Sequence, residues 1–357
     1  MTGVTQYLLV GSLESYSGKS ATVLGIAGQL KARGVDLAYG KPLATHPSEI
    51  KGKTIDDPAF IASVLGLPPE RIYPTIASLD EAAIERQLGG GSSIDPKEAL
   101  QTYVPQEGAP DVVLLEGPGT LDEGRLFGLS LEEMAATLEA GVVLVMPFNW
   151  QNLIGRALSA RKQLGDRLLG IVVNNITADY VERFDRHYAP YLEAQGIPVL
   201  GQIPRSTLLR SISVAELVKR LDATVLCRPD RLDLMVESLR IGAMNVNSAL
   251  KYFRKGQNMA IVTGGDRTDI QLAALETSTQ CLILTGHLSP SELIISRAEE
   301  LETPILAVDL DTLTTVEIID NSFGKVPIEE EVKVQCISEL MATHFDLDRL
   351  LERMSPQ

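Results

Sequence analysis

Cysteine, histidine and positive charge are all scarce in this chain of 357 residues, and each shortage removes a class of function. The three cysteines, Cys227, Cys281 and Cys336, stand far apart, and no two share a metal-ligand or redox spacing. They read as plain thiols of a reducing compartment. Four histidines, His46, His187, His287 and His344, are isolated from one another and form no ligand cluster. Lys and Arg number 32 against 47 Asp and Glu, a formal net charge of -15. That balance argues against nucleic acid or an anionic membrane as a partner, although it says little about small anions, which feel their local pocket. No basic N-terminal region with a following apolar stretch marks a signal peptide. The longest apolar runs, such as "GVVLVMPF", are too short to cross a bilayer. The expectation is a cytoplasmic protein.

What is present is alternation. "YLLVG" (7–11), "VDLAYGK" (35–41), "DVVLLEG" (111–117), "VVLVMPF" (142–148), "LLGIVVNN" (168–175) and "IPVLGQI" (197–203) read as buried strands. Such continuous β-branched runs suit a parallel sheet covered on both faces. Between them lie helix candidates. One spans 19–33, with Val23, Ala27 and Leu30 on one face, and another spans about 150–164. The pattern predicts a doubly wound α/β domain. Residues 50–110 break the rhythm with short helices, prolines and the run "GGGSS" (89–93), which reads as a surface loop or an anion-binding nest. A second alternating set follows: "ATVLC" (223–227), "MAIVTG" (259–264), "CLILTG" (281–286) and "PILAVD" (304–309), closed by an amphipathic helix over 330–344. Two domains are expected, 1–211 and a smaller α/β domain at 212–357.

The chemistry gathers at strand ends. In "SLESYSGKSA" (12–21) a strand runs into a small-residue loop, and Gly18, Lys19 and Ser20 open a helix. That is the context of a phosphate-binding loop: backbone N–H groups and the helix N-terminus face an anion. Lys19 would contact the β- and γ-phosphates, and the Ser20 hydroxyl would ligate Mg²⁺. Leu13 stands where the common pattern has its first glycine. The loop works through main-chain donors, so a side chain there can point away from the phosphate, and Gly18 is retained. Glu116 ends a strand where open α/β sheets place ligands, and a carboxylate there can hold Mg²⁺. Lys41 ends the second strand and could neutralise a γ-phosphate or an acidic second substrate. Asp56 and Asp57 offer a further Mg²⁺ ligand, or a helix cap before Pro58. Asn174 and Asn175 end the strand "GIVVNN", where an amide suits a purine edge or simply a turn. In "GGDRTD" (264–269), Asp266 is expected to cap a helix, with Asp269 three residues on, and Arg267 is a candidate for sensing or subunit contact.

Taken in order, "GSLESYSGKS", "GKP", "DD", "LLEGPG", "VVNN" and "VLGQIPR" resemble the dethiobiotin synthetase family over roughly residues 5–210. The resemblance implies Mg-ATP bound by Lys19, Ser20, Asp57 or Asp56, and Glu116. It gives Lys41 a catalytic role in carboxyl transfer, and Asn175 the reading of adenine. "TGGDRTDIQLAALE" (263–276) looks like the signature of a DRTGG domain. Together the halves resemble the N-terminal region of long phosphate acetyltransferases, whose catalytic domain would follow, so acetyl transfer is not expected. DRTGG modules are associated with regulation and subunit association, which implies a homo-oligomer. Three functions are weighed. The first is a regulatory or scaffolding protein binding Mg-ATP or another purine nucleotide, with slow hydrolysis and a partner enzyme as options. The second is an ATP-dependent carboxylate–amine ligase, and the third a structural partner with a degenerate pocket.

Overall fold

A computed structural model describes residues 5–44, 49–50, 53–54, 57–90, 96–103, 108–286 and 288–355. It divides into two compact units: residues 1–205 with 328–357, and residues 206–327.

The first unit is built on seven strands: β1 (Gln6–Ser12), β2 (Leu37–Gly40), β3 (Ile72–Tyr73), β4 (Val112–Glu116), β5 (Gly141–Pro147), β6 (Leu168–Ile176) and β7 (Val199–Pro204). They form one sheet in the order β7-β6-β5-β1-β4-β2-β3, and every neighbouring pair is parallel. β4 is buried at all five positions, as a strand covered on both faces must be. The covering helices include α1 (Lys19–Ala32), α2 (Leu131–Thr137) and α3 (Leu153–Leu164). Six of the seven strands follow the expected runs. β3 escapes because two residues carry no periodicity. β1 lies between β4 and β5, so the chain leaves it in both directions, and the loop after it faces the crevice where such sheets bind ligands.

The second unit contains α4 (Val214–Leu221), β8 (Thr224–Cys227), β9 (Ser238–Ile241), α5 (Val246–Phe253), β10 (Met259–Gly264), α6 (Thr268–Leu275), β11 (Thr279–Thr285), α7 (Glu292–Glu300), β12 (Ile305–Ala307) and α8 (Thr312–Ser322). Its sheet runs β8-β12-β11-β10-β9, parallel except for the antiparallel β8–β12 pair. β9 is a sequence miss, since its residues are half-buried or exposed and mixed in polarity.

The chain then returns to the first unit through α9 (Glu331–His344) and α10 (Leu347–Met354). This corrects the expected second domain of 212–357: residues 328–357 belong to the first unit. The reason lies in α1, which buries Leu24, Gly25 and Ile26 as well as Val23, Ala27 and Leu30. One face of α1 meets α9: Gln29 donates to the Met341 carbonyl at 3.0 Å. A methyl group on Gly25 would lie 2.2 Å from Met341 Cγ. The segment after α9 pairs with edge strand β7 through Gly201 and Phe345, and the Asp346 N–H donates to the Leu200 carbonyl at 2.8 Å. Arg349 on α10 grips both Glu193 oxygens at 2.7 Å. Among the described residues, no helix is long and apolar enough to cross a membrane.

Two predictions follow from this packing. Gly25→Ala should destabilise the first unit by about 1–3 kcal/mol through overpacking against Met341. Gly28→Ala, on the same helix with nothing near its added methyl, should stabilise by about 0.5–1 kcal/mol. Urea titrations of both variants test the contrast. For Glu193, partial burial opposes ionisation, but the Arg349 guanidinium and the Val199 N–H outweigh it and hold the carboxyl below its usual range. A carboxyl depressed in the folded state contributes stability that is present above its unfolded pKa and lost as pH falls through the folded one. The protection factors of the α10 amides, with the intrinsic pH dependence of exchange divided out, should therefore fall on acidification, and Glu193→Gln should flatten that dependence.

Candidate functional site

β1 ends at Ser12 and α1 begins at Lys19, leaving a tight loop at the carboxyl edge of the sheet. Two residues of it are left-handed, Tyr16 (φ 57°) and Gly18 (φ 97°). Gly18 sits at the N-cap of α1, no side chain caps the helix, and its first turn carries no acidic residue. The amides of that turn, which have no partner within the helix, therefore face outward with the positive end of the dipole.

Neighbouring strands and helices hold the loop. The Ser12 hydroxyl lies 2.7 Å from the Gly119 carbonyl and 3.0 Å from that of Glu14. From α3, Arg156 reaches Glu14 at 2.6 Å and donates to the Leu13 carbonyl at 2.8 Å. Leu13 itself packs against the hydrophobic core, which explains how the loop dispenses with glycine there. From β6, the Asn174 amide donates to the Ser17 carbonyl at 2.9 Å. A Cβ on Gly18 would stand 2.3 Å from that same amide nitrogen, so glycine is required twice over, by φ and by space.

Beside the loop stands an acidic group with its partners. Glu116, at the end of β4, is 2% exposed. It accepts from the Ser20 hydroxyl at 3.1 Å and from Tyr39 at 3.4 Å. Lys41 Nζ lies 3.6 Å from the same Oε1 that Ser20 contacts. Three residues predicted from sequence, Ser20, Lys41 and Glu116, are thus brought together within a few ångströms of the start of α1. A hydroxyl and a carboxylate oxygen side by side are hard donors that fit Mg²⁺, which takes few protein ligands and completes its shell with phosphate and water. Among the described residues, no group of three or more His, Cys, Asp or Glu that could hold a metal ion occurs. Asp57 opens a helix at Asp57–Leu65, but its side chain, like Asp56 as a whole, lies outside the described residues. So do His46, His287 and residues 91–93 of the glycine-serine run.

The asparagine pair divides its work. Asn174 braces the loop, and its Oδ1 accepts from the Asn175 N–H at 2.8 Å. Asn175 takes a left-handed φ of 62°, which asparagine tolerates better than most residues. Sequence reasoning missed three further loop contacts. These are the brace by Asn174, the Arg156 clamp, and Glu123, which accepts from the Gly119 N–H at 2.6 Å. Only Asn174 carried a signal, as a polar residue at a buried strand's end.

In the second unit the expected cap is overturned. α6 starts at Thr268 with Arg267 at its N-cap, and no side chain caps it. Asp266 lies one residue too early because a turn from Gly264 to Arg267 precedes the helix. Asp269 pairs instead with Arg267, at 3.0 and 3.2 Å. That hydrogen-bonded guanidinium holds its carboxyl below the usual range. Arg267 also donates to the Met244 carbonyl at 2.9 Å. Gly265 is tightly placed, since a Cβ there would lie 2.1 Å from the Leu288 carbonyl oxygen.

A parallel sheet with a strand, a Gly-Lys-Ser loop and a helix at its switch point defines a P-loop α/β protein. The chain belongs to the AAA-domain family, whose model matches residues 6–213, and residues 216–322 match the DRTGG domain. Its curated relatives include the phosphate acetyltransferase of Nitratidesulfovibrio vulgaris, 28% identical over 97% of this chain and 51% of that protein. The Escherichia coli phosphate acetyltransferase is 24% identical over 93% of this chain and 50% of that protein. The chain spans about half the length of the curated relatives it matches. Overlaps with solved structures are looser. The signal recognition particle receptor FtsY of Elizabethkingia anophelis is 17% identical over 57% of this chain and 60% of that one, with a TM-score of 0.40. The MinD cell division protein of Aquifex aeolicus is 13% identical over 56% and 83%, with a TM-score of 0.35.

The buried Lys41–Glu116 pair yields a prediction. Lys41→Ala, which leaves the Glu116 carboxylate without its cation, should cost about 3–5 kcal/mol of stability. The double variant Lys41→Met with Glu116→Gln should recover a large part of it, as chemical denaturation will show.

Proposed function

We propose that this chain is a Mg-nucleotide-binding regulatory module, related to the N-terminal region of phosphate acetyltransferases. The observation that carries the reading is the uncapped N-terminus of α1 beside the Ser20–Glu116–Lys41 cluster. Amides of the loop and of the first helical turn supply donors to phosphate oxygens, and Lys19 adds a point charge at the β- and γ-phosphates. Ser20 and Glu116 would hold Mg²⁺, with Asp57 or Asp56 as a further oxygen ligand. The ion neutralises phosphate charge that Glu116 would otherwise repel. Asn175, at the end of β6, reads the purine edge. ATP fits this set, and so does another purine nucleotide.

The DRTGG unit serves association or regulation in this reading, making the protein a homo-oligomer that signals nucleotide state to a partner enzyme. Arg267 is the residue we assign to that contact. Lys41, committed to Glu116, acts on bound phosphate as a charge.

Calorimetry with MgATP and MgGTP tests the reading. Wild type should bind one or both, and Lys19→Ala should weaken binding about tenfold or more, the loss of one charge-assisted contact. Absence of binding by wild type would reject it. Phosphate release that depends on bicarbonate and an amine would replace it with a carboxylate–amine ligase.

A further inference from the structure

We propose that the groove along the outer edge of β7 is a binding site for a small aliphatic diamine or polyamine, held by Asp185 and Asp346. It stands whether or not the nucleotide reading holds, because none of its lining residues belongs to the loop over 13–18 or to the Ser20–Glu116–Lys41 cluster.

The groove has a volume of about 610 Å³, within the range of small-molecule sites, and it lies wholly in the first unit. β7 is the last strand of its sheet. The connector after α9 covers part of its free edge through the Gly201–Phe345 bridge. Glycine lets the connector come this close, since a Cβ on Gly201 would stand 3.2 Å from both the His344 carbonyl oxygen and the Phe345 ring. A second wall is the helical segment over 178–194, whose middle turn, Phe184–Tyr188, is π-helical. That wide turn buries Phe184 completely, stacked on Tyr188 and edge-on to Phe148. The next residue, Asp185, is left exposed at the groove. π-helical turns are rare and often mark functional sites.

The lining selects the ligand. Val181, Leu200 and Phe345 supply apolar surface, Asp185 and Asp346 supply two carboxylates, and no lysine or arginine is among the lining residues. The neighbouring cations are committed elsewhere: Arg183 lies over the Tyr180 ring, Arg186 pairs with Glu182, and Arg349 pairs with Glu193. Asp185 has neither a hydrogen bond nor an ion pair among the described residues. Asp346 accepts from the Arg349 N–H at 2.9 Å through Oδ1, and a carboxylate has acceptor sites to spare. Ammonium groups donate and never accept, so they match the carboxylates, and the methylene stem between them matches the apolar surface. An anion would face two like charges and no cation.

The test is a titration of the full chain with cadaverine at low salt and about pH 8, where a histidine is neutral, read by saturation-transfer NMR on the ligand. Pentanediol is the uncharged counterpart of the same length. Wild type should bind cadaverine and not pentanediol. Asp185→Asn and Asp346→Asn should each weaken binding about threefold to tenfold. Asparagine keeps a capping acceptor at position 346, and Asp185 is exposed, so both variants should melt as wild type does. Glu317→Gln with Asp320→Asn removes the same charge from exposed positions of α8 and should bind cadaverine as wild type does. Equal weakening by that control would mark general attraction to an acidic surface and overturn the proposal. So would equal binding of pentanediol, unchanged binding by both aspartate variants, or no binding by wild type. Saturating MgATP should leave cadaverine bound. Its release would make the groove part of the nucleotide site and overturn the proposal as well.

Discussion

The short contact between the Asn174 amide and the Ser17–Gly18 backbone is the constraint around which the site is organised. It ties the end of β6 to the loop after β1, across the intervening β5. Gly18 can occupy its left-handed conformation only without a side chain, and the Asn174 nitrogen fills the space a Cβ would need. From that fixed point α1 starts with its amides uncapped, and Ser20 on its first turn meets Glu116 on β4. Arg156 holds the other end of the loop by its backbone and by Glu14. The loop is therefore gripped from three elements, which is what preorganisation requires.

Below the loop, small residues and large ones alternate in a way that brings strands and helices close. A methyl on Gly11 would lie 2.3 Å from Leu131, and one on Gly117 would lie 2.7 Å from the same side chain. Leu131 is the first residue of α2, whose start is fixed by a capping box between Ser130 and Glu133. A well-capped helix thus places one leucine beneath both strand ends that carry the chemistry. On α1, Gly25 plays the same part for α9. The last thirty residues, 328–357, extend the first unit's helical layer and close part of the edge of β7.

Much of this was legible in the sequence where the cause is local. The apolar runs marked six strands of the first sheet because buried parallel strands need them, and the Gly-Lys-Ser loop was recognisable from its strand-to-helix setting. Glu116 and Lys41 could be placed because each directly follows an apolar run. What failed was non-local or depended on a single residue of register. Asn174 and Asn175 look equivalent as letters, but Asn175 leaves the extended conformation at φ 62°, and it is Asn174 that donates to the loop. Asp266 has the composition of a cap and the wrong position, one residue before a turn that only the backbone reveals. Amphipathic α9 was visible as a helix, yet its pattern could not say that it would lie against α1.

In the proposed reading, the loop over residues 13–18, with the first turn of α1, is a preformed phosphate cradle. Hydrogen–deuterium exchange with and without MgATP measures it most directly. Ligand addition should slow exchange at the amides of residues 14–21 and at the end of β6, with little change in the sheet beneath. Exchange at those amides that stays the same at saturating MgATP, or a slowing confined to the second unit, would contradict it.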